Sequence, residues 1–236
     1  MNFDVAVLPG DGVGPEVIGE ATKVLQVVGE KFGHSFHFLQ GLVGGIAIDT
    51  LGVALGEEAL DMCKQCDAVL LGAVGGYKWD DPQAKVHPED GLLALRKNLG
   101  LFANLRPVKV LPMLTDSTSL KPQVIQGVDL VVVRELTGGL YFGQPKKQWQ
   151  TPEGRQAVDT LAYSESEIER ILRVGFELAR GRSKKLTSVD KANVLQSSRL
   201  WRQIAIGASS TPSPGTLANV LVDACAMRLI RRPTDL

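Results

Sequence analysis

Three arginines, a tyrosine and a lysine are the residues of this chain best suited to chemistry. They are Arg96 in GLLALRKNLG, Arg106 in ANLRPVK, Arg134 and Tyr141 in VVVRELTGGLYFG, and Lys191 in SVDKANVL. All five lie in or beside short apolar runs that read as buried strands or strand ends. An unpaired buried charge is costly, so cations placed there require an anionic partner. An arginine fork matches a carboxylate bidentately, and three converging arginines point to a small ligand carrying several carboxylates. A lysine at a strand end and a tyrosine beside an arginine could exchange protons with such a ligand.

The apolar pattern supplies elements to hold these side chains. Residues 4–9 (DVAVLP) read as a buried strand, followed by a tight turn with Gly10, Gly12 and Gly14 and by Pro15, which suits a first helical turn. Val17, Ile18, Ala21, Leu25, Val28 and Phe32 then recur at helical spacing, and Gly33 is a stop. Phe36 and Phe38 alternate with polar neighbours as in a strand; residues 57–66 read as a helix and 67–71 as the next buried strand. This alternation argues for a mostly parallel sheet in an α/β layer. Residues 72–90 read as a long Gly-, Asp- and Pro-rich loop, and 129–134 as a further strand. Residues 143–159 read as an exposed arm. Ser164 and Glu167 open a capping-box helix that runs to about Arg180, residues 186–190 lead into Lys191, and 195–204 form a helix. Residues 205–216 (AIGASSTPSPGT) show neither period and read as a linker.

Composition narrows the function classes. The 236 residues are 44% hydrophobic and 22% charged, as in a globular protein with a sizeable core. Lys+Arg and Asp+Glu both number 26, so no excess charge calls for nucleic acid or an anionic membrane. No apolar run reaches the roughly 18 residues of a membrane helix. Asp4 interrupts the first apolar stretch, which is unlike a secretory leader, and three cysteines suit a reducing, cytoplasmic setting. Cys63 and Cys66 form a single C-x-x-C that reads as small apolar residues late in a helix before it reads as a redox pair. The loop GDGVG is spaced G-x-G-x-G, which does not fit the dinucleotide fingerprint.

The segments LPGDGVGPEV, GAVGGYKW, RELTGGLYFG and SVDKANVL, in that order, resemble the isocitrate/isopropylmalate β-decarboxylating dehydrogenase family. The likeness runs from about Asp4 to Ile204 and resumes over residues 220–233; residues 205–216 depart from it, as a loop variant or a local frame error would. It implies a two-domain α/β fold of isopropylmalate-dehydrogenase type, with a mixed sheet, helices on both faces and the site in the cleft between domains. The cofactor-side domain would comprise residues 1–104, lacking its C-terminal part. The substrate and dimerisation domain would comprise 105–236, with a protruding arm at about 140–163.

The implied activity is NAD-dependent oxidative decarboxylation of 3-isopropylmalate to a 2-oxo acid in leucine biosynthesis, impaired in a chain that lacks the family's C-terminal part. Isocitrate, homoisocitrate or tartrate are sister substrates, and a non-catalytic partner-binding fragment is the alternative. By the same resemblance Arg96, Arg106 and Arg134 hold the two malate-type carboxylates, and Leu92 and Val194 face the variable substituent. Lys191 takes the hydroxyl proton, and Tyr141 returns a proton after carbon dioxide leaves. Gly75, Gly76, Lys78, Trp79 and Glu89 line the NAD site, with Asn193 on the nicotinamide side. Asp223 is one ligand of Mg²⁺ or Mn²⁺, whose two further aspartates would follow the last residue. The family's homodimer shares its active sites, Lys191 and Asn193 reaching into the partner's.

Overall fold

In β1 (Asn2–Gly10), Val5, Ala6, Val7 and Leu8 are all buried, which requires cover on both faces of the strand. The structure, a computed structural model that describes residues 1–209 and 215–236, supplies that cover. It divides into two units, Met1–Gly100 and Leu101–Leu236. In the first unit β1 is the middle of three parallel strands, between β2 (Ser35–Gln40) and β3 (Ala68–Ala73). Alternate side chains of β1 feed two cores. Val5 and Val7 meet Ile18 of α1 (Gly14–Phe32), while Ala6 and Leu8 meet Val43, Cys63 of α3 (Glu57–Gln65) and Leu95 of α4 (Pro88–Asn98). Pro15 sits in the first turn of α1, and Gly33 ends it with a left-handed φ of 70°.

One expectation is corrected here, and one helix is added to those the sequence suggested. A short helix, α2 (Gly45–Leu51), precedes α3, and residues 72–90 are not one loop: β3 continues to Ala73, Tyr77–Trp79 form a 3-10 turn, and α4 begins at Pro88. All three cysteines are free. Burial pushes the Cys63 thiol up, and burial with the Asp4 and Asp67 carboxylates does the same to Cys66. Both shifts oppose thiolate formation and fit the packing role.

The second unit begins with an antiparallel ribbon of β4 (Ala103–Lys109) and β5 (Asp129–Glu135), joined through a 3-10 helix (Pro112–Ser117) and a one-turn helix, α5 (Pro122–Ile125). The exposed arm is a hairpin of β6 (Lys147–Thr151) and β7 (Gly154–Val158). Next come α6 (Glu165–Arg180), β8 (Lys185–Asp190), α7 (Gln196–Ser209), β9 (Thr216–Leu221), parallel to β8, and α8 (Val222–Arg231). Ile168 and Leu172 of α6 and Ala205 of α7 form the core, with Tyr163 and Trp201 packed edge-on at 5.4 Å.

The linker reading of 205–216 fails at both ends. α7 continues to Ser209, Thr216 opens β9, and only 210–214 lie outside the described residues. Ala205 is fully buried, since a small residue is what lets α7 approach α6 there. Among the described residues no helix is long and apolar enough to cross a membrane.

The capping box anticipated for α6 is present: the Ser164 amide donates to Glu167 Oε2 at 2.7 Å, and the Glu167 amide to Ser164 Oγ at 3.4 Å. Ser164→Ala is expected to cost about 1 kcal/mol in urea unfolding with an unchanged m-value.

Candidate functional site

In the first unit the carboxyl ends of β1 and β3 are tied together by one buried carboxylate. Asp11, just past β1, accepts hydrogen bonds from the amides of Gly45 (2.7 Å), Ile46 (2.8 Å) and Gly75 (2.8 Å). Its own amide donates to the Ala73 carbonyl at 2.7 Å. The approach is close: a Cβ on Gly10 would lie 1.9 Å from the Ala73 oxygen, and one on Gly45 2.3 Å from the Trp79 indole. Loops at the carboxyl ends of parallel strands are where α/β folds bind ligands.

There, Val74, Gly75, Gly76, Tyr77, Trp79, Asp80, His87, Pro88 and Glu89 line a cleft of about 300 Å³, at the small end of ligand pockets. Gly75 has a φ of 95°, a backbone only glycine adopts freely, and leaves its peptide open to approach. Trp79 is held by Asp49, whose carboxylate accepts from the indole Nε1 at 3.2 Å and from Lys78 Nζ at 2.5 Å. Those two bonds, Lys78 first, keep the Asp49 carboxyl below its ordinary value. Gly75, Gly76, Trp79 and Glu89 thus share one cleft. Lys78 stands beside it, over the Trp79 ring at 5.2 Å.

Helix α4 carries two stripes. Pro88, Gly91 and Leu95 are buried; Glu89, Leu92 and Arg96 lie on the adjacent stripe at i, i+3 and i+7. Arg96 is therefore on a helix beside an apolar Leu92, and not at a strand end as the local run suggested.

In the second unit, β4–β5 pairing sets Asn104 opposite Arg134, which places Arg106, two residues on, on the same face as Arg134. Arg106 Nε donates to Asn104 Oδ1 at 2.6 Å, and the Arg134 guanidinium lies 5.4 Å from the centre of the Tyr141 ring. Two forked cations and a phenol are thus brought together. They are exposed, and Lys191 and Arg96 are half-buried, so the expectation of cations buried in apolar strands is overturned. Among the described residues the ribbon is two strands wide and leaves that face open. What is buried is the next residue: Glu135 accepts from the amides of Thr137 (2.9 Å) and Gly138 (2.7 Å) and from Arg170 Nη2 of α6 (2.7 Å). The Arg170 guanidinium lies over the Phe102 ring at 4.7 Å.

Lys191 follows β8 directly, and its Nζ donates to Asp223 Oδ1 at 2.5 Å. Asp223 stands in the first turn of α8, where the helix dipole favours a negative charge, and the Lys191 bond holds its carboxyl below the usual range. Buried Asp190 accepts from the Ala192 amide at 2.9 Å and from Arg202 Nε and Nη2, each at 2.8 Å. Asn193 and Val194 are exposed on the same turn, the Val194 amide donating to the Lys191 carbonyl at 3.0 Å. A divalent ion needs several oxygen donors. Asp223 is a single carboxylate already engaged by an ammonium, and no three or more His, Cys, Asp or Glu side chains cluster among the described residues. These residues alone do not fit a metal centre.

Reading the sequence for cations missed Asp11, Asp49, Glu135 and Asp190, and with them Arg170 and Arg202. A usable signal existed for three: each of Asp11, Glu135 and Asp190 stands where an apolar run stops and strand pairing leaves loop amides in need of acceptors.

A model of the family described as isocitrate/isopropylmalate dehydrogenase matches residues 4–236. The 3-isopropylmalate dehydrogenase of Dehalococcoides mccartyi (strain ATCC BAA-2266 / KCTC 15142 / 195) is 60% identical over 235 residues, covering 99% of this chain and 64% of that protein. That of Bacillus subtilis (strain 168) is 56% identical over 236 residues, covering 100% and 65%. The crystal structure of isocitrate dehydrogenase from Methylococcus capsulatus superposes with a TM-score of 0.83 at 27% identity, covering 99% of this chain and 65% of that one. The chain thus spans about two thirds of the length of the curated relatives it matches.

Asp11→Asn offers one carbonyl to three amide donors and turns an NH₂ toward the rest. Amide exchange at Gly45, Ile46 and Gly75 should rise by about 10- to 100-fold, the equivalent of roughly 1–3 kcal/mol for unsatisfied buried donors. For Asp49 the folded carboxyl lies below its ordinary 3.8, so its contacts contribute stability above that pH and lose it as pH falls through the lowered value. The indole NMR signal of Trp79 should accordingly hold at pH 4 and shift at lower pH, and Asp49→Asn should remove the shift.

Proposed function

The chain belongs to the isocitrate/isopropylmalate dehydrogenase family, and we propose that it serves the NAD-dependent oxidative decarboxylation of 3-isopropylmalate to a 2-oxo acid. The observation that carries this choice of substrate is the Leu92–Arg96 stripe of α4, an apolar side chain one helical turn from a guanidinium. Such a pair suits a carboxylate flanked by a branched alkyl group; a third carboxylate, as in isocitrate, would need a hydrogen-bonding residue in place of Leu92. The relatives named 3-isopropylmalate dehydrogenase support the same choice.

In this reading Arg106 and Arg134, on one face of the β4–β5 ribbon, and Arg96, on α4, are each assigned to substrate carboxylate. Lys191 is assigned to take the proton from the C2 hydroxyl. NAD supplies the acceptor for the C2 hydride, and the cleft of Gly75, Gly76, Trp79 and Glu89 is assigned to it, with Lys78 beside the cleft and Asn193 on the nicotinamide side. With C2 oxidised to a ketone, the bond from C3 to its carboxyl carbon breaks and carbon dioxide leaves. The electron pair passes into an enolate, and Tyr141 Oη delivers a proton to C3. Arg134 over the Tyr141 ring keeps the phenol beside the carboxylate it helps bind. Val194, like Leu92, is assigned to the alkyl group. We assign the chain to a homodimer with shared sites in the cytoplasm and to leucine biosynthesis. Asp223 would be one donor toward Mg²⁺ or Mn²⁺ and is insufficient alone.

A second reading follows from the Lys191–Asp223 pair, in which base and metal donor engage each other: a non-catalytic chain that binds a partner subunit. NADH formation with 3-isopropylmalate and isocitrate, measured side by side, separates these. Low turnover preferring 3-isopropylmalate is expected. Leu92→Ser should lower its kcat/KM by about 10- to 100-fold, and Lys191→Met should lower kcat by about 100- to 10,000-fold. A preference for isocitrate would overturn the substrate, and absence of turnover would favour the partner-binding chain.

A further inference from the structure

Two buried carboxylates in the second unit share one construction. Glu135 ends β5 and Asp190 ends β8, and each side chain is 1% exposed. Each accepts the amide of the residue two positions on, Thr137 at 2.9 Å and Ala192 at 2.9 Å, so the chain turns around the carboxylate as it leaves the sheet. Each is then gripped by an arginine from a flanking helix: Arg170 of α6 at 2.7 Å, and Arg202 of α7 through Nε and Nη2 at 2.8 Å. The two helices share the core of Ile168, Leu172 and Ala205, so both grips rest on one packed base. The turn held by Glu135 carries Tyr141, and the turn held by Asp190 begins with Lys191.

We propose that Arg170 and Arg202 are positioning residues: each fixes, through its buried carboxylate, the turn that presents a proton-transfer side chain. Arg170 acts on Tyr141 and Arg202 on Lys191. The functional half of this inference rests on the proton-transfer roles proposed above; the mechanical half does not. The two grips also differ in a way that makes them separable. Glu135 receives one nitrogen from Arg170, which a lysine can imitate, whereas Asp190 receives two nitrogens in a fork, which a lysine cannot.

The test compares the full chain with Arg170→Ala, Arg170→Lys, Arg202→Ala, Arg202→Lys and, as a control, Arg182→Ala. The control breaks an exposed arginine–carboxylate pair with Asp129 at the opposite end of β5. Amide exchange at Ala192 and acetic anhydride labelling of Lys191, read by mass spectrometry, should rise about tenfold or more in both Arg202 variants. Exchange at Thr137 and Gly138 should rise in Arg170→Ala and recover in Arg170→Lys. In NADH formation kcat should fall about 10- to 100-fold with KM within about twofold, the size expected when a reacting group is displaced by about an ångström. Unchanged exchange and labelling in the alanine variants would overturn the proposal. So would a fall in kcat no larger than in Arg182→Ala at equal loss of melting temperature. If the unmodified chain turns over no substrate, the functional reading fails by itself, and exchange and labelling still decide whether these arginines hold the turns.

Discussion

A carboxylate buried where a strand ends is the constraint on which the rest of this structure depends. Asp11, Glu135 and Asp190 are the buried charged residues among those described, and all three stand at that kind of position. Burying an ion without partners is prohibitive, so each carboxylate compels nearby donors to converge on it. The donors are loop amides, which themselves have no strand partner once the ladder stops. One acid therefore satisfies two needs, and the loops that leave the sheet acquire a defined path. Around Asp11 three segments distant in sequence meet at one carboxylate. Around Glu135 and Asp190 the path is shorter, and an arginine from a helix supplies the counter-charge.

In the second unit exposed polar side chains sit on buried scaffolding. Arg106, Arg134 and Tyr141 face outward from a ribbon whose last residue, Glu135, points inward. Lys191 is half-buried, while its neighbour Asp190 is almost wholly so. Adjacent residues on an extended chain point to opposite sides, so a buried acid next to an accessible cation is what the pleat favours at a strand end. These side chains remain reachable, and their backbone is fixed from behind.

Much of this could be read in the sequence. The β1–α1 boundary was visible from DVAVLP, Pro15 and Gly33, and the start of α6 from Ser164 and Glu167. The strand end before Lys191 was visible from SVD. Helix α4 was less legible because its inward stripe is Pro88, Gly91 and Leu95, of which only the last looks apolar on a periodicity count. The run through residue 209 was missed for a related reason: Ala205 packs because it is small, and small residues carry little hydrophobic signal. The burial of the arginines was misjudged because an apolar run such as LVVVR says that a strand forms, not how many neighbours it will have. Here β5 has one, and the face stays open. The clamping acids escaped notice because their meaning lies in which amides surround them, and that is set by tertiary contacts.

The two stripes of α4 bear on how such a chain can change over time. Pro88, Gly91 and Leu95 secure the helix, with Gly91 so close to residue 54 that a Cβ there would lie 2.5 Å from the Ala54 oxygen. Glu89, Leu92 and Arg96 stand apart from that seam. A substitution on the outer stripe alters what the helix displays without loosening what it rests on. Replacements there leave the inward stripe unchanged, so one scaffold can give rise to a lineage of chains that differ in what this helix displays.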